Sequence, residues 1–175
     1  MASKIKVDQI QTADGTGTIA LQNQLSGMTT ASLPALGSAQ MPTGAVLKVE
    51  RSSTAGNAST TSTSYTKILT HSYTPVSSNS KIYVQVFFEA YNANTNTTAG
   101  MLAEVRRAGT NIGIADKAYA YTSTTADRFQ VGTVGTGEYT NTSTTAADYE
   151  LWFKSYDGGN VATYDPYMII TEVAG

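Results

Sequence analysis

The stretch "KIYVQVFFEAY", residues 81–91, alternates without a break. Side chains of a β-strand point to opposite faces with a period of two, so Ile82, Val84, Val86, Phe88 and Ala90 fall on one side and Tyr83, Gln85, Phe87, Glu89 and Tyr91 on the other. The first set is wholly apolar and belongs in a core, where each larger side chain contributes about 1.5–3 kcal/mol by burial. The second mixes rings with polar groups. It fits either a surface that touches another subunit or a solvated face carrying a few aromatics.

Working outward, strand patterns recur between turn signals: "AVLKVER" (45–51), "YTKILTHSYT" (65–74), "GMLAEVRR" (100–107), "TNIGIADKAYAY" (110–121), "DRFQVGTV" (127–134), "DYELWFKSY" (148–156) and "YMIITEV" (167–173). The Ser/Thr-rich stretch 52–64 and the glycine-bearing "GTVGTGEY" (132–139) read as loops, and "DGGN" (157–160) as a turn. Seven or eight strands at this spacing predict an all-β antiparallel sandwich, most simply a jelly roll. Composition agrees. Ser and Thr supply about a quarter of the chain and charged residues only 14%, a balance suited to pleated surfaces and turns.

All 16 aromatic residues (11 Tyr, 4 Phe, 1 Trp) lie between Tyr65 and Tyr167, so the core belongs to the C-terminal two-thirds. The segment "KIKVDQIQTADGTGTIALQ" (4–22) reads as a short hairpin offering only Ile5, Val7, Ile10, Ile19 and Leu21 as firmly apolar side chains. Two strands this thin are unstable alone, so these five residues are candidates for attachment or oligomer contacts. Residues 22–43 carry Pro34 and Pro42, which favour extended backbone, and fully stretched these 22 residues span roughly 70 Å. They read as an arm; a helix there is disfavoured by Gly27, Pro34 and Gly37.

The chemistry-bearing residues form no constellation. His71 is the single histidine and is expected to face solvent; catalytic or metal roles need partners that the sequence does not place beside it. Asp14, Asp157 and Asp165 sit in turn-like contexts without calcium-loop spacing. Paired carboxylates for glycoside hydrolysis do not stand out, although distant strands can assemble them. The motifs "NAS" (57–59), "NTT" (96–98) and "NTS" (141–143) are expected to mark exposed loops. No cofactor, metal or catalytic residue is assigned.

Cysteine is absent, and a net charge of −2 with scattered basic residues is no nucleic-acid footprint. The start lacks a secretory pattern and no stretch suits a membrane span, so synthesis in a cytoplasm is expected.

Several stretches together resemble virion proteins of tailed bacteriophages, a group of fibre-like and head-decorating chains. "KIKVDQIQTADGTGTIALQNQLSG" (4–27) is similar to their N-terminal segment and "SLPALGSAQMPTGAVLKVE" (32–50) to the junction after it. "YTKILTHSYTPVSSNSKIYVQVFFEAY" (65–91) resembles their strand, polar turn and "S-K-I-x-V-x-V" strand, and "YMIITEVAG" (167–175) their closing strand.

The resemblance implies a non-enzymatic homotrimer located in the virion. Residues 1–44 would form an attachment arm with a short hairpin, and residues 45–175 a jelly roll of the tumour-necrosis-factor type. The implied role is capsid decoration, as a cement or head-fibre protein bound to capsid or another virion protein. The alternative is a tail-fibre receptor-binding protein that holds a host glycan on its Tyr- and Asn-rich loops 91–98, 119–125 and 139–143. Threefold closure would bury one aromatic-bearing face around the axis, with Tyr83, Phe87, Tyr91 and Trp152 as candidates.

Overall fold

A computed structural model describes residues 37–92, 99–122 and 129–175, with side chains left undescribed at 39, 99, 114–122 and 129–135. The chain divides into compact units at residues 35 and 36, and the described residues all belong to the second, Leu36–Gly175. The hairpin at 4–22 with Ile5, Val7, Ile10, Ile19 and Leu21, Asp14, the arm up to residue 36 and the "NTT" motif lie outside the described residues.

After a 3₁₀ turn at Ser38–Gln40 the described residues form nine strands: β1 (Val46–Arg51), β2 (Ala58–Thr60), β3 (Thr66–Tyr73), β4 (Ser80–Asn92), β5 (Ala99–Arg107), β6 (Thr110–Thr122), β7 (Phe129–Asn141), β8 (Ala147–Ser155) and β9 (Val161–Ala174). One sheet runs β1-β9-β4-β7, with β2 also paired to β9, and the other runs β3-β8-β5-β6. Their strand pairs are antiparallel. Apart from the β5–β6 hairpin, each step from β3 to β9 crosses between the sheets, which is the jelly-roll order. The expected all-β antiparallel sandwich is therefore the fold.

The core lies between the sheets. Ile82, Val84, Val86, Phe88 and Ala90 of β4 are buried as the alternation requires, against Met101, Ala103 and Val105 of β5 and Tyr149, Leu151 and Phe153 of β8. Leu69 and Tyr73 of β3 and Met168 and Ile170 of β9 complete the layer.

The β5–β6 hairpin closes on Ala108 and Gly109, both with positive φ (46° and 80°), between the paired residues Arg107 and Thr110. This is the two-residue turn whose twist matches its strands, although alanine pays a steric cost there.

Three sequence readings need correction. "GTVGTGEY" is no loop but the middle of β7. Glycine is needed because β6 and β7 approach closely: a Cβ on Gly113 would fall on the Thr136 carbonyl and the Gly137 Cα, and one on Gly137 would sit 3.0 Å from Val105 Cγ1. The 52–64 stretch holds β2, whose three residues pair with Val161, Ala162 and Thr163. Finally, β9 begins at Val161, six residues before the expected start. Its alternation is hidden by a one-residue bulge, where Phe87 and Glu89 of β4 oppose Tyr167 and Tyr164. Asp165 adopts φ 45° at the bulge, and Pro166, which has no N–H to donate, suits the interrupted ladder. Asp165 thus lies inside a strand, whereas Asp157 does sit in a turn, accepting from the Gly159 N–H at 3.2 Å.

Candidate interaction faces

The outer face of the β1-β9-β4-β7 sheet is built by parity. Tyr83, Gln85, Phe87, Glu89 and Tyr91 alternate outward from β4. The bulge then brings both Tyr164 and Tyr167 of β9 onto the same side, opposite Glu89 and Phe87. Tyr167 stacks on Phe87 with centroids 4.8 Å apart and planes 11° from parallel. The Arg51 guanidinium, arriving from β1 on the other flank of β9, lies 4.2 Å from the Tyr167 centroid. Tyr91 and Tyr164 meet edge to face at 5.7 Å. Toward the strand ends the apolar side chains are more exposed: Val46 is 54% exposed, Val49 57% and Tyr83 38%. A notch of about 190 Å³, lined by Ser38, Met41, Val46, Leu47 and Val76, continues it to where the chain enters β1.

The outer face of the β3-β8-β5-β6 sheet is organised differently. Trp152 is capped by the Arg106 guanidinium at 4.4 Å, with the Lys67 ammonium at 6.0 Å. Its indole N–H donates to Glu150 Oε2 at 2.9 Å. Tyr65 carries Arg106 at 5.2 Å and Lys154 at 4.4 Å. Glu104 binds Arg106 Nε at 2.6 Å and Glu150 binds Lys67 Nζ at 3.0 Å. Burial alone pushes the Glu150 carboxyl up, but Trp152, Lys67 and the Gly109 N–H together outweigh it and hold it below the ordinary range. Among the described residues here, Glu104 and Glu150 each hold a cation and Trp152 and Tyr65 each lie against one.

Between the sheets, at the end where β9 finishes, lies a buried carboxylate. Glu172 follows Met168 and Ile170 on the inward parity of β9 and is fully buried. Its Oε2 accepts from the Tyr73 hydroxyl and the Val76 N–H, each at 2.8 Å, and its Oε1 from the Ser77 N–H at 2.9 Å. Burial raises the carboxyl pKa, and the donors from Val76, Ser80, Ser77 and Tyr73 more than reverse it, leaving it below the ordinary value. In exchange, burial and the Glu172 charge push the Tyr73 phenol far above its usual range.

Beside it, the free edges of the two sheets are joined. Lys48 and Glu50 of β1 pair at 2.7 Å, and Glu50 meets His71 Nε2 of β3 at 3.2 Å. Lys48 Nζ also donates to the Thr74 carbonyl at 3.0 Å and lies 4.6 Å from the Tyr73 centroid. The expectation that His71 faces solvent is therefore corrected. It shares the inward parity of Leu69 and Tyr73 and is only 22% exposed.

Of the residues grouped as axis candidates, Tyr83, Phe87 and Tyr91 share one face, whereas Trp152 lies on the other sheet. Tyr164, Tyr167 and Arg51 join the first group: the bulge in β9 hides Tyr164, and Arg51 reaches Tyr167 from another strand, β1. Among the glycan-loop stretches, most of 91–98 and 119–125 falls outside the described residues or side chains. In 139–143, Arg107 covers Tyr139 at 4.1 Å and Asn141 is buried, donating to the Ser77 carbonyl, while Thr140 and Thr142 are exposed. The "NTS" motif thus begins on a buried asparagine, and "NAS" runs into β2. Among the described residues no three His, Asp or Glu gather as a metal site, and no helix is long and apolar enough to cross a membrane.

Strand order defines a jelly-roll protein whose described residues put rings, aliphatic side chains and charges together on one outer face and an ion-paired cluster around Trp152 on the other. No protein-family model matches the sequence, and no curated protein matches it. Two solved structures with some likeness come from infectious bursal disease virus. The structure of its Gx strain matches at TM-score 0.34 and 10% identity over 81% of this chain and 42% of that one. The VP2 subviral particle matches at TM-score 0.30 and 11% identity over 81% and 41%. The chain spans about two-fifths of the length of those structures.

Proposed function

We propose that this chain is a non-enzymatic structural protein of a tailed-phage virion, made in the host cytoplasm. It is a homotrimer whose residues 1–44 attach to the capsid, through side chains including Ile5, Val7, Ile10, Ile19 and Leu21, while residues 45–175 project as a decorating body. One observation carries the reading. The two body stretches that resemble fibre-like and head-decorating chains are bonded to each other: Glu172 of "YMIITEVAG" takes the backbone N–H groups of Val76 and Ser77 in the polar turn before β4. The resemblance thus falls on one cooperating structural unit rather than on scattered low-complexity sequence.

The role is mechanical, and Ser and Thr hydroxyls keep the outer loops hydrated without charge. The test is light scattering after size exclusion at micromolar concentration, followed by sedimentation with purified capsids. A trimer that pellets with capsids and ignores host cells supports decoration. Adsorption to cells or glycans without capsid binding replaces it with the tail-fibre alternative. A monomer that binds neither overturns the proposal.

A further inference from the structure

We propose that a small monovalent anion, of chloride or bromide size, binds inside the body where Arg107 of β5 and Tyr149 of β8 meet, accepting hydrogen bonds from the Arg107 Nε–H and the Tyr149 hydroxyl. The site belongs to a single copy and does not depend on the trimeric reading above.

It begins with parity. Arg106 and Arg107 are the only adjacent basic residues in the chain, and consecutive residues of a strand face opposite ways, so the pair is split across the sheet. Arg106 goes outward to Glu104. Arg107 follows the buried Met101, Ala103 and Val105 on the inward side, directly opposite Tyr149 in an unbroken β5–β8 register, where the Cβ atoms of such a pair stand about 4.5–5.5 Å apart. A cation is therefore carried on the core side of β5 by its last residue, just before the tight turn at Ala108 and Gly109.

What it meets there is unbalanced. The Tyr139 ring of β7 lies 4.1 Å from the guanidinium carbon, a contact made with the charge that leaves the N–H donors to find acceptors elsewhere. Among the described residues Arg107 pairs with no carboxylate. Its Nε is buried without a hydrogen-bond partner, and so is the hydroxyl of Tyr149, a completely buried side chain. Burial pushes the Tyr149 phenol pKa up, and the nearby guanidinium works against it. Arginine only donates and keeps its proton. Whichever of its other N–H groups turns to the phenol oxygen, the hydroxyl proton and the Nε–H still need an acceptor.

The other buried polar groups at this end are committed. Glu172 accepts from Tyr73, Val76 and Ser77, Tyr73 meets Tyr149 ring to ring, edge to face, at 6.1 Å, and Asn141 donates to the Ser77 carbonyl. An anion supplies both the missing counter-charge and an acceptor for two protons, whereas a water molecule supplies only the acceptor. Because both donor atoms are buried, the ion must be small, which favours a halide over a phosphate group.

The test uses the full chain with bromide as the probe. Scanning calorimetry is run in rising sodium bromide, with sodium gluconate holding the ionic strength constant. The wild type is expected to gain about 3–6 °C in Tm for each tenfold rise in bromide above its dissociation constant. Tyr149→Phe keeps the ring and loses the hydroxyl, and Arg107→Lys keeps the charge and loses the Nε–H; each is expected to lose most of that slope. Wild-type crystals soaked in bromide give an answer independent of mutation, an anomalous peak within about 3.5 Å of both Arg107 Nε and Tyr149 Oη. The same bromide dependence in wild type and Tyr149→Phe, or a soaked crystal without an anomalous peak at that place, overturns the inference. A water molecule found there in bromide, with no anomalous signal, overturns it in favour of internal hydration.

Discussion

Replacing Glu172 with glutamine keeps the volume and removes the charge, so it isolates what the carboxylate does. The native group accepts three hydrogen bonds within 2.9 Å while fully buried. Glutamine offers one oxygen. If that oxygen keeps the Ser77 N–H, the amide NH₂ faces two donors. The Tyr73 hydroxyl can rotate to accept, but the Val76 N–H cannot. Stranding one buried donor costs about 1–3 kcal/mol, and a charge-assisted bond lost elsewhere adds about 1 kcal/mol. A total of about 2–4 kcal/mol corresponds to a fall in Tm of roughly 4–16 °C for a chain of this size.

The pH dependence fixes the sign. Because the folded pKa of Glu172 is depressed, its contribution is complete above the ordinary carboxylate value near about 4.3 and is lost as pH falls through the lower native value. The gap between wild type and Glu172→Gln in scanning calorimetry should therefore be widest at neutral pH and narrow below pH ~4. Equal Tm values at neutral pH, or a gap that widens as pH falls, would refute the assignment.

Ala108→Asn should raise stability by roughly 0.5–1 kcal/mol in urea unfolding, since asparagine tolerates the positive φ of this turn position better than alanine does. Gly113→Ala should cost at least about 3 kcal/mol, because its methyl meets backbone of β7. Gly56→Ala, with nothing within 4 Å of its added carbon, should stay within about 0.5 kcal/mol in the same assay. Exchanging Lys48 and Glu50 together for valine strips the charges from the free edge of β1, and thioflavin-positive assembly should increase over wild type during agitation.

Much of the architecture was legible wherever one strand kept one phase. Residues 81–91 gave their inward set without error because no glycine, proline or bulge interrupts them. The same parity rule, applied to "MIITEVA", places Glu172 inward with Met168 and Ile170; a carboxylate on the core side of a strand is the signal from which the buried nest can be found. The rest was hidden for local reasons. Gly137 stands in β7 because the backbone of β6 approaches there at Gly113, and the run Gly132, Gly135, Gly137 looks in sequence like a loop. His71 was misjudged because a partner 21 residues away, Glu50, decides its surroundings, and the cations around the Trp152 indole likewise come from two other strands. Nothing in the immediate neighbourhood of either residue announces those partners.

The extra residue in β9 has a consequence for how this protein tolerates change. The strand is written in two opposite phases, one for Val161–Tyr164 and another from Tyr167 onward. Removing Asp165 would leave Pro166 alone between Tyr164 and Tyr167, giving one unbroken alternation with Tyr164 still outward and Val161 and Thr163 still inward. The faces of its first segment are therefore set by pairing with β4, and a single-codon deletion at the bulge would straighten the strand without exchanging inside and outside.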